Sequence, residues 1–341
     1  MTAQSYFQER GIPFILHEGQ KTGWRTRAKL AVRGEGDEIL IGLFKPGTHD
    51  VEELLACPDH HPKINEAVKL VKEWMAKCGV SPYYEKDHRG VLRYLQFVVE
   101  RETGKVQAAF AVTTDRGLKD KFKQLEALSP PDFWHSLWIN RHPHPSNTIF
   151  SQDWELASGE KWLWEKIHGT SACFLPGSFG QANLEMFEKL LSRLSDFVPQ
   201  GTRILELYAG IGIIALTQLN KAESIDLCES NPESKHCFDH RQSLYPSEKV
   251  HFHLMHSHEA SSLLQGKDLL IVDPPRKGLD AATLSMIIEH HPKRLIYISC
   301  GFSSFVRDLE TLEKEGFTLS HVEGFQFLPG TEHVELLAIF S

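Results

Sequence analysis

From about residue 171 onward, short and largely apolar runs alternate with helical stretches, and few folds accept that grammar. The runs are RILELYAG (203–210), SIDLCES (224–230), KVHFHL (249–254), DLLIVDPP (268–275) and RLIYISC (294–300). A strand with one wet face alternates apolar and polar residues, whereas a strand covered on both faces does not. These runs therefore predict a parallel sheet enclosed by helices. A helix over 184–196 leads through the turn Pro199-Gln200-Gly201 into the first run, and the chain closes with a predicted hairpin of TLSHVEGFQFL (318–328) and HVELLAIF (333–340). The expected fold of residues 171–341 is doubly wound α/β: a Rossmann-like, mostly parallel sheet with a C-terminal antiparallel hairpin. In such sheets ligands bind beyond the carboxyl ends of the strands, so the residues standing at those ends matter most.

Residues 1–170 follow a different pattern, expected to give a smaller α+β domain. WRTRAKLAVR (24–33) and EILIGLF (38–44) suggest paired strands, and INEAVKLVKEWMAKCG (64–79) has helical periodicity closed by Gly79. Further strands are predicted at 92–100 and 106–113 and a helix near 117–128, while 129–148, with Pro130, Pro131, Pro143 and Pro145, reads as irregular. The net charge of −8 is unevenly spread: residues 1–150 carry 21 Lys+Arg against 19 Asp+Glu, so the remainder holds −10. Lys21, Arg25, Arg27, Lys29 and Arg33 form a run of cations with no acid between them, joined by Lys45. That run is either a phosphate-contacting element or a solvated strand face.

Several classes drop out. There is no run of eighteen apolar residues, and MTAQSYFQERGIPF has neither the apolar core of a signal peptide nor the pattern of a transit peptide, so a cytoplasmic protein with no membrane partner is expected. The six cysteines (Cys57, Cys78, Cys173, Cys228, Cys237 and Cys300) show no CxxC spacing, which argues against a disulfide framework and against zinc or iron–sulfur sites. His251, His253, His256 and His258 read as surface decoration, and the pairs His60-His61 and His290-His291, beside prolines, as structural.

The strand ends carry the chemistry. In LELYAGIGIIAL (205–216) an acid, Glu206, precedes a turn with Gly210 and Gly212, where missing side chains let backbone approach a ligand at the start of an apolar helix. Glu229, 23 positions later, suits the ribose hydroxyls of an adenosine cofactor, though a dinucleotide site would look alike and Ser230-Asn231 also mark a helix start. Asp273-Pro274-Pro275-Arg276 follows the next buried strand, its prolines fixing a backbone that can orient a flat base. Cys300 ends its strand and is either a small buried hydrophobe or a nucleophile. Glu335, between Val334 and Leu336, either faces solvent or is a base held in a site.

Taken in order, WRTRAKLAVRG, IGLFKPGTHDV, CPDHHPKIN, SFGQAN, the glycine loop, DPPRKG, YISC with Arg307-Asp308, and FLPGTEHVE resemble the RNA 5-methyluridine methyltransferase family over most of the chain. The resemblance implies an S-adenosyl-L-methionine-dependent enzyme that modifies ribosomal or transfer RNA. It implies that Cys300 adds to carbon 6 of uracil, Glu335 removes the carbon 5 proton, Asp273 binds the uracil edge, and Gln181 lies near both base and cofactor. Glu206, Tyr208, Gly210, Gly212, Glu229 and Asp273 match the cofactor cradle, and Arg25, Arg27 and Lys29 are the expected RNA contacts.

The chain departs from the pattern in two places. Gly301-Phe302 follow the cysteine where many relatives have Asn-Pro, and of the four-cysteine cluster many relatives carry, only Cys57 has a counterpart. A shortened, monomeric member without an N-terminal RNA-binding barrel, iron–sulfur cluster or other metal is expected. The alternatives are methylation of another acceptor, such as cytosine carbon 5 or an exocyclic amine, and a noncatalytic RNA-binding relative. Arg276, where amine methyltransferases place an aromatic, speaks against an amine acceptor, and the joint presence of Cys300, Glu335, Asp273 and Gln181 against a noncatalytic relative.

Overall fold

The computed structural model describes residues 2–35, 38–144 and 148–341. The chain forms two compact units, and it passes between them more than once. Residues 1–20 and 166–173 join 183–341 in one unit, and 174–182 return to 21–165 in the other, so the boundary drawn at 170 falls within this exchange. None of the described helices is long and apolar enough to cross a membrane.

The first unit is built on an eight-stranded sheet in the order Ile15–His17, Leu319–Phe325, Glu335–Phe340, Leu295–Ser299, Leu269–Val272, Thr202–Leu207, Ala222–Glu229, Val250–Leu254. Only Glu335–Phe340 runs antiparallel to its neighbours. Strand order reverses between Leu269–Val272 and Thr202–Leu207, the switch point at which doubly wound sheets open a crevice. Four of the apolar runs are strands buried at most positions, as a sheet with covered faces requires, whereas KVHFHL forms the edge strand Val250–Leu254, of which only Val250 is buried.

The segment 1–20 holds structure absent from the sequence reading. A helix, Ala3–Glu9, opens with a capping box between Thr2 and Ser5 and buries Phe7 completely in the core of this unit. The strand Ile15–His17 then pairs with Glu323–Phe325. His17 Nε2 lies 2.6 Å from Glu323, which also takes Arg193 and His321; against the cost of burial, these partners hold its carboxyl down to about 2.

The second unit is a seven-stranded sheet in the order Val51–Glu53, Leu40–Phe44, Arg27–Arg33, Leu92–Val99, Val106–Val112, Trp134–Arg141, Trp154–Gly159. Helices Pro62–Cys78 and Leu118–Leu128 bury their apolar sides against it, with Trp74 stacked on Phe122. The stretch expected to be irregular, 129–148, contains the eight-residue strand Trp134–Arg141. Pro130, Pro131 and Pro143 bound that strand rather than interrupt it, and Pro145 lies outside the described residues.

Candidate active site

The first unit lines up its polar groups by strand register. Ser299 pairs with Leu336 across the antiparallel ladder, so one step further places Cys300, just past one strand, opposite Glu335, the first residue of the next. On the other side of Cys300 comes Asp273, following Leu269–Val272. Then come Glu206 and Tyr208 at the end of Thr202–Leu207, and Glu229 at the end of Ala222–Glu229. Five neighbouring strands thus present Glu335, Cys300, Asp273, Glu206 and Glu229 in a row. At about 4.8 Å per strand the row from Cys300 to Glu229 measures roughly 15 Å, enough for a flat base at one end and an adenosine at the other.

The Glu229 end of the row is firmly built. Both oxygens of Glu229 accept backbone N–H groups, from Gly210 at 2.9 Å and Asn231 at 2.7 Å, which fixes the carboxylate and leaves further lone pairs for a diol. Asn231 also caps the helix Pro232–Leu244, so the helix-start reading of this segment holds. Glu229, Tyr208, His256, Pro275, Lys277 and Asp280 line a cleft of about 270 Å³. Tyr208 sits at φ 58°, a conformation costly to a residue with a Cβ, and its hydroxyl donates to Asp280 at 2.9 Å. Gly212, at φ 83°, packs so tightly that a Cβ would stand 2.3 Å from Leu227.

One expectation is corrected here. The helix after the glycine turn is only four residues long, Ile213–Leu216, and its Ala215 N–H donates to Glu206 at 2.8 Å. That donor serves a carboxylate of the chain itself. The second oxygen of Glu206 is buried without a hydrogen-bond partner among the described residues. Burial pushes this carboxyl up to about 8, opposed by the Ala215 bond and reinforced by Asp273 and Glu229. A buried acid with an empty acceptor suits a ligand cation or hydroxyl.

The other end concentrates titratable groups. Burial raises Asp273 to about 7 although the residue keeps partial exposure, and burial together with Asp273 raises Glu335, 9% exposed, to about 8. Burial, then Glu335 and Asp273, push the Cys300 thiol up to about 11, while Arg276 favours its thiolate. Arg276 likewise opposes the rise at Glu335, which makes it a member of the site that the sequence reading used only as a contrast.

The DPPRKG loop and the helix after Cys300, Phe302–Lys314, brace one another. Ser304 Oγ donates to the Arg276 carbonyl at 2.7 Å, and Arg307 donates to the Lys277 carbonyl at 3.0 Å. Asp308, fully buried, accepts from Tyr297 at 2.8 Å and from the Leu279 N–H at 2.9 Å. Arg307-Asp308 thus tie loop, strand and helix together, a role that only the fold reveals.

The remaining expected residues lie in the second unit. Arg27 donates to the Ser178 carbonyl at 3.4 Å with its guanidinium over Phe174, Lys29 lies over Phe150, and Arg25 stacks on Trp24 at 4.6 Å. Gln181 lies on the segment 174–182, pinned by Thr26 to Ala182 and by Gln96 to Pro176. Phe179, two positions before it, is 66% exposed, an aromatic the sequence reading passed over. Arg33 leaves the basic run: it is 6% exposed, paired with Glu85 at 2.5 Å and boxed by Phe44, Tyr83 and Tyr94. Cys57 has its backbone N–H and carbonyl bonded to Asn65, and no group of three metal-ligating side chains occurs among the described residues. His61 caps Pro62–Cys78, as a structural histidine would.

A family model described as tRNA (uracil-5-)-methyltransferase matches residues 248–340. A Protochlamydia amoebophila protein described as an uncharacterized RNA methyltransferase is 43% identical over 337 residues, spanning 96% of this chain and 88% of that protein. The chain belongs to the RNA uracil-5-methyltransferase family. An Oceanobacillus iheyensis protein, also described as an uncharacterized RNA methyltransferase, is 26% identical over 95% of this chain and 72% of its own length. Among solved structures, a Pyrococcus abyssi tRNA (uracil-54, C5)-methyltransferase in complex with S-adenosyl-L-homocysteine aligns over 99% of this chain and 80% of that one, with a TM-score of 0.84 at 22% identity. That likeness establishes the Rossmann-like methyltransferase fold expected from the strand grammar.

Proposed function

We propose that this enzyme transfers the methyl group of S-adenosyl-L-methionine to carbon 5 of a uridine in RNA through a covalent Cys300 adduct. The observation that carries the reading is the juxtaposition of Cys300 with Glu335 across the ladder and with Asp273 on the adjoining strand end. Carbon 5 of uracil is a weak nucleophile; addition of a thiolate to carbon 6 moves the π electrons toward carbon 5 and the carbon 4 oxygen. Carbon 5 then takes the sulfonium methyl as the cofactor's sulfur–methyl bond breaks. Glu335, as carboxylate, accepts the carbon 5 proton, and the freed electron pair restores the double bond and expels the Cys300 thiolate. Asp273, at a pKa of about 7, can donate to or accept from the uracil edge.

The cofactor reading rests on the Glu229 clasp, the orphaned oxygen of Glu206 and the open space beside Gly210, where an added Cβ would meet no atom within 4 Å. In this reading the Rossmann-like unit performs the chemistry on a base out of its stack, and the other unit offers Arg25, Arg27 and Lys29 to phosphates. Incubation with methyl-labelled S-adenosyl-L-methionine and total RNA, followed by nucleoside separation, should place label in 5-methyluridine. Label in cytidine or adenosine would overturn the reading. Cys300→Ala should lose turnover and the covalent adduct with 5-fluorouridine RNA.

A further inference from the structure

We propose that Tyr6, acting through Phe302, is a positioning residue that holds Cys300 in its place at the strand end. The proposal rests on the reading of Cys300 as nucleophile. Two serines hold the turn locally, Gly301 N–H donating to Ser299 Oγ at 3.3 Å and Ser304 Oγ donating to the Gly301 carbonyl at 2.8 Å, while Phe302 occupies the first helical position, where a proline would preset φ. Gly301 is also wedged, since a Cβ there would stand 2.3 Å from the Arg276 carbonyl oxygen and 2.5 Å from Ser304 Oγ. Such a fit needs the first turn of the helix held from outside.

The N-terminal helix Ala3–Glu9 supplies the hold. The Tyr6 ring meets Phe302 edge to face, centroids 5.6 Å apart at 80°. One residue on, Phe7 packs on Phe305, which in turn meets Tyr297 of the nucleophile's own strand. Tyr6 is itself tethered: Arg10 donates to its hydroxyl at 2.9 Å and forks onto Glu313 at 2.7 and 2.8 Å. The N-terminal helix therefore grips the helix after Cys300 at its first residue and again, through Arg10, at Glu313, eleven residues along. Edge-to-face pairs are directional, so this contact favours one placement of the short turn.

The test follows covalent trapping on 5-fluorouridine RNA, where the fluorine blocks the final elimination. Tyr6→Ala should slow adduct formation about tenfold, a modest share of what misplacement by an ångström costs a reacting group. The adduct amplitude and S-adenosylhomocysteine affinity should be retained. Tyr6→Phe, which keeps the ring, should react at the wild-type rate, and Tyr6→Ala with Phe302→Ala should be no slower than either alone. A lowered amplitude at unchanged rate, or equal loss in Tyr6→Phe, would reduce Tyr6 to a stability role and overturn the proposal. The second readout is peptide-resolved alkylation of Cys300 by iodoacetamide across pH in protein without RNA. It should shift toward faster reaction at lower pH in Tyr6→Ala, and a superimposable profile would also refute the proposal. Should wild-type protein trap no adduct while still methylating RNA, the nucleophile reading fails, and the alkylation profile decides the positioning role independently.

Discussion

Glu335→Gln should stabilise the protein while stopping its chemistry, and the gain should grow with pH. The carboxyl is 9% exposed and burial, with Asp273 nearby, lifts it to about 8 in the folded chain. A raised folded pKa means that the stability contributed by the protonated form is fully present below the unfolded pKa and is lost as pH climbs through the folded one. Against an unfolded value of about 4.3, a neutral Gln would then gain about 1 kcal/mol at pH 5, about 4 kcal/mol at pH 7 and about 5 kcal/mol above pH 8, each an upper bound. The amide's own burial trims these figures, but it does so equally at every pH. Urea unfolding of wild type and variant at pH 5, 7 and 8.5 measures the difference directly. A pH-independent difference, or a variant less stable than wild type at pH 8.5, would refute the idea that Glu335 is a desolvated acid kept at a cost to stability.

Two further expectations concern turnover and the cofactor. Because Glu335 must be ionised to accept a proton and the Cys300 thiol sits near 11, kcat/KM should climb between pH 6.5 and 9; a flat profile would rule out one or both roles. Glu229→Gln replaces an acceptor of two backbone N–H groups by an amide with one oxygen, and calorimetry should show S-adenosylhomocysteine binding weakened by about tenfold or more. Unchanged affinity would remove Glu229 from the cradle.

Much of the first unit was legible because buried parallel strands write themselves as apolar runs and end at the ligand crevice. Glu206, Asp273 and Cys300 were found that way, each at the close of a run. Glu335 was ambiguous from sequence, since alternation alone permits an outward side chain; the antiparallel pairing of Ser299 with Leu336 is what turns it toward Cys300. The helix Ala3–Glu9 was missed because seven residues give too little periodicity to register, and the strand Ile15–His17 because its partner lies some three hundred residues away. Trp134–Arg141 was missed because flanking prolines mask a strand as effectively as they bound it. Arg33 misled for another reason: a charge in a sequence does not announce that three aromatic rings and Glu85 will enclose it.

The antiparallel strand Glu335–Phe340 has a consequence for how the enzyme comes into being. It fills the gap between Leu295–Ser299 and Leu319–Phe325, so the strand before Cys300, paired with Leu269–Val272 on its other side, is joined to Leu319–Phe325 only through it. Ile15–His17, made first, must wait for Leu319–Phe325. Loops closed over such distances form late, and a nascent chain with Cys300 already synthesised still lacks the carboxylate opposite it. Pairing of this one strand therefore completes the sheet and brings Cys300 and Glu335 opposite one another in the same step.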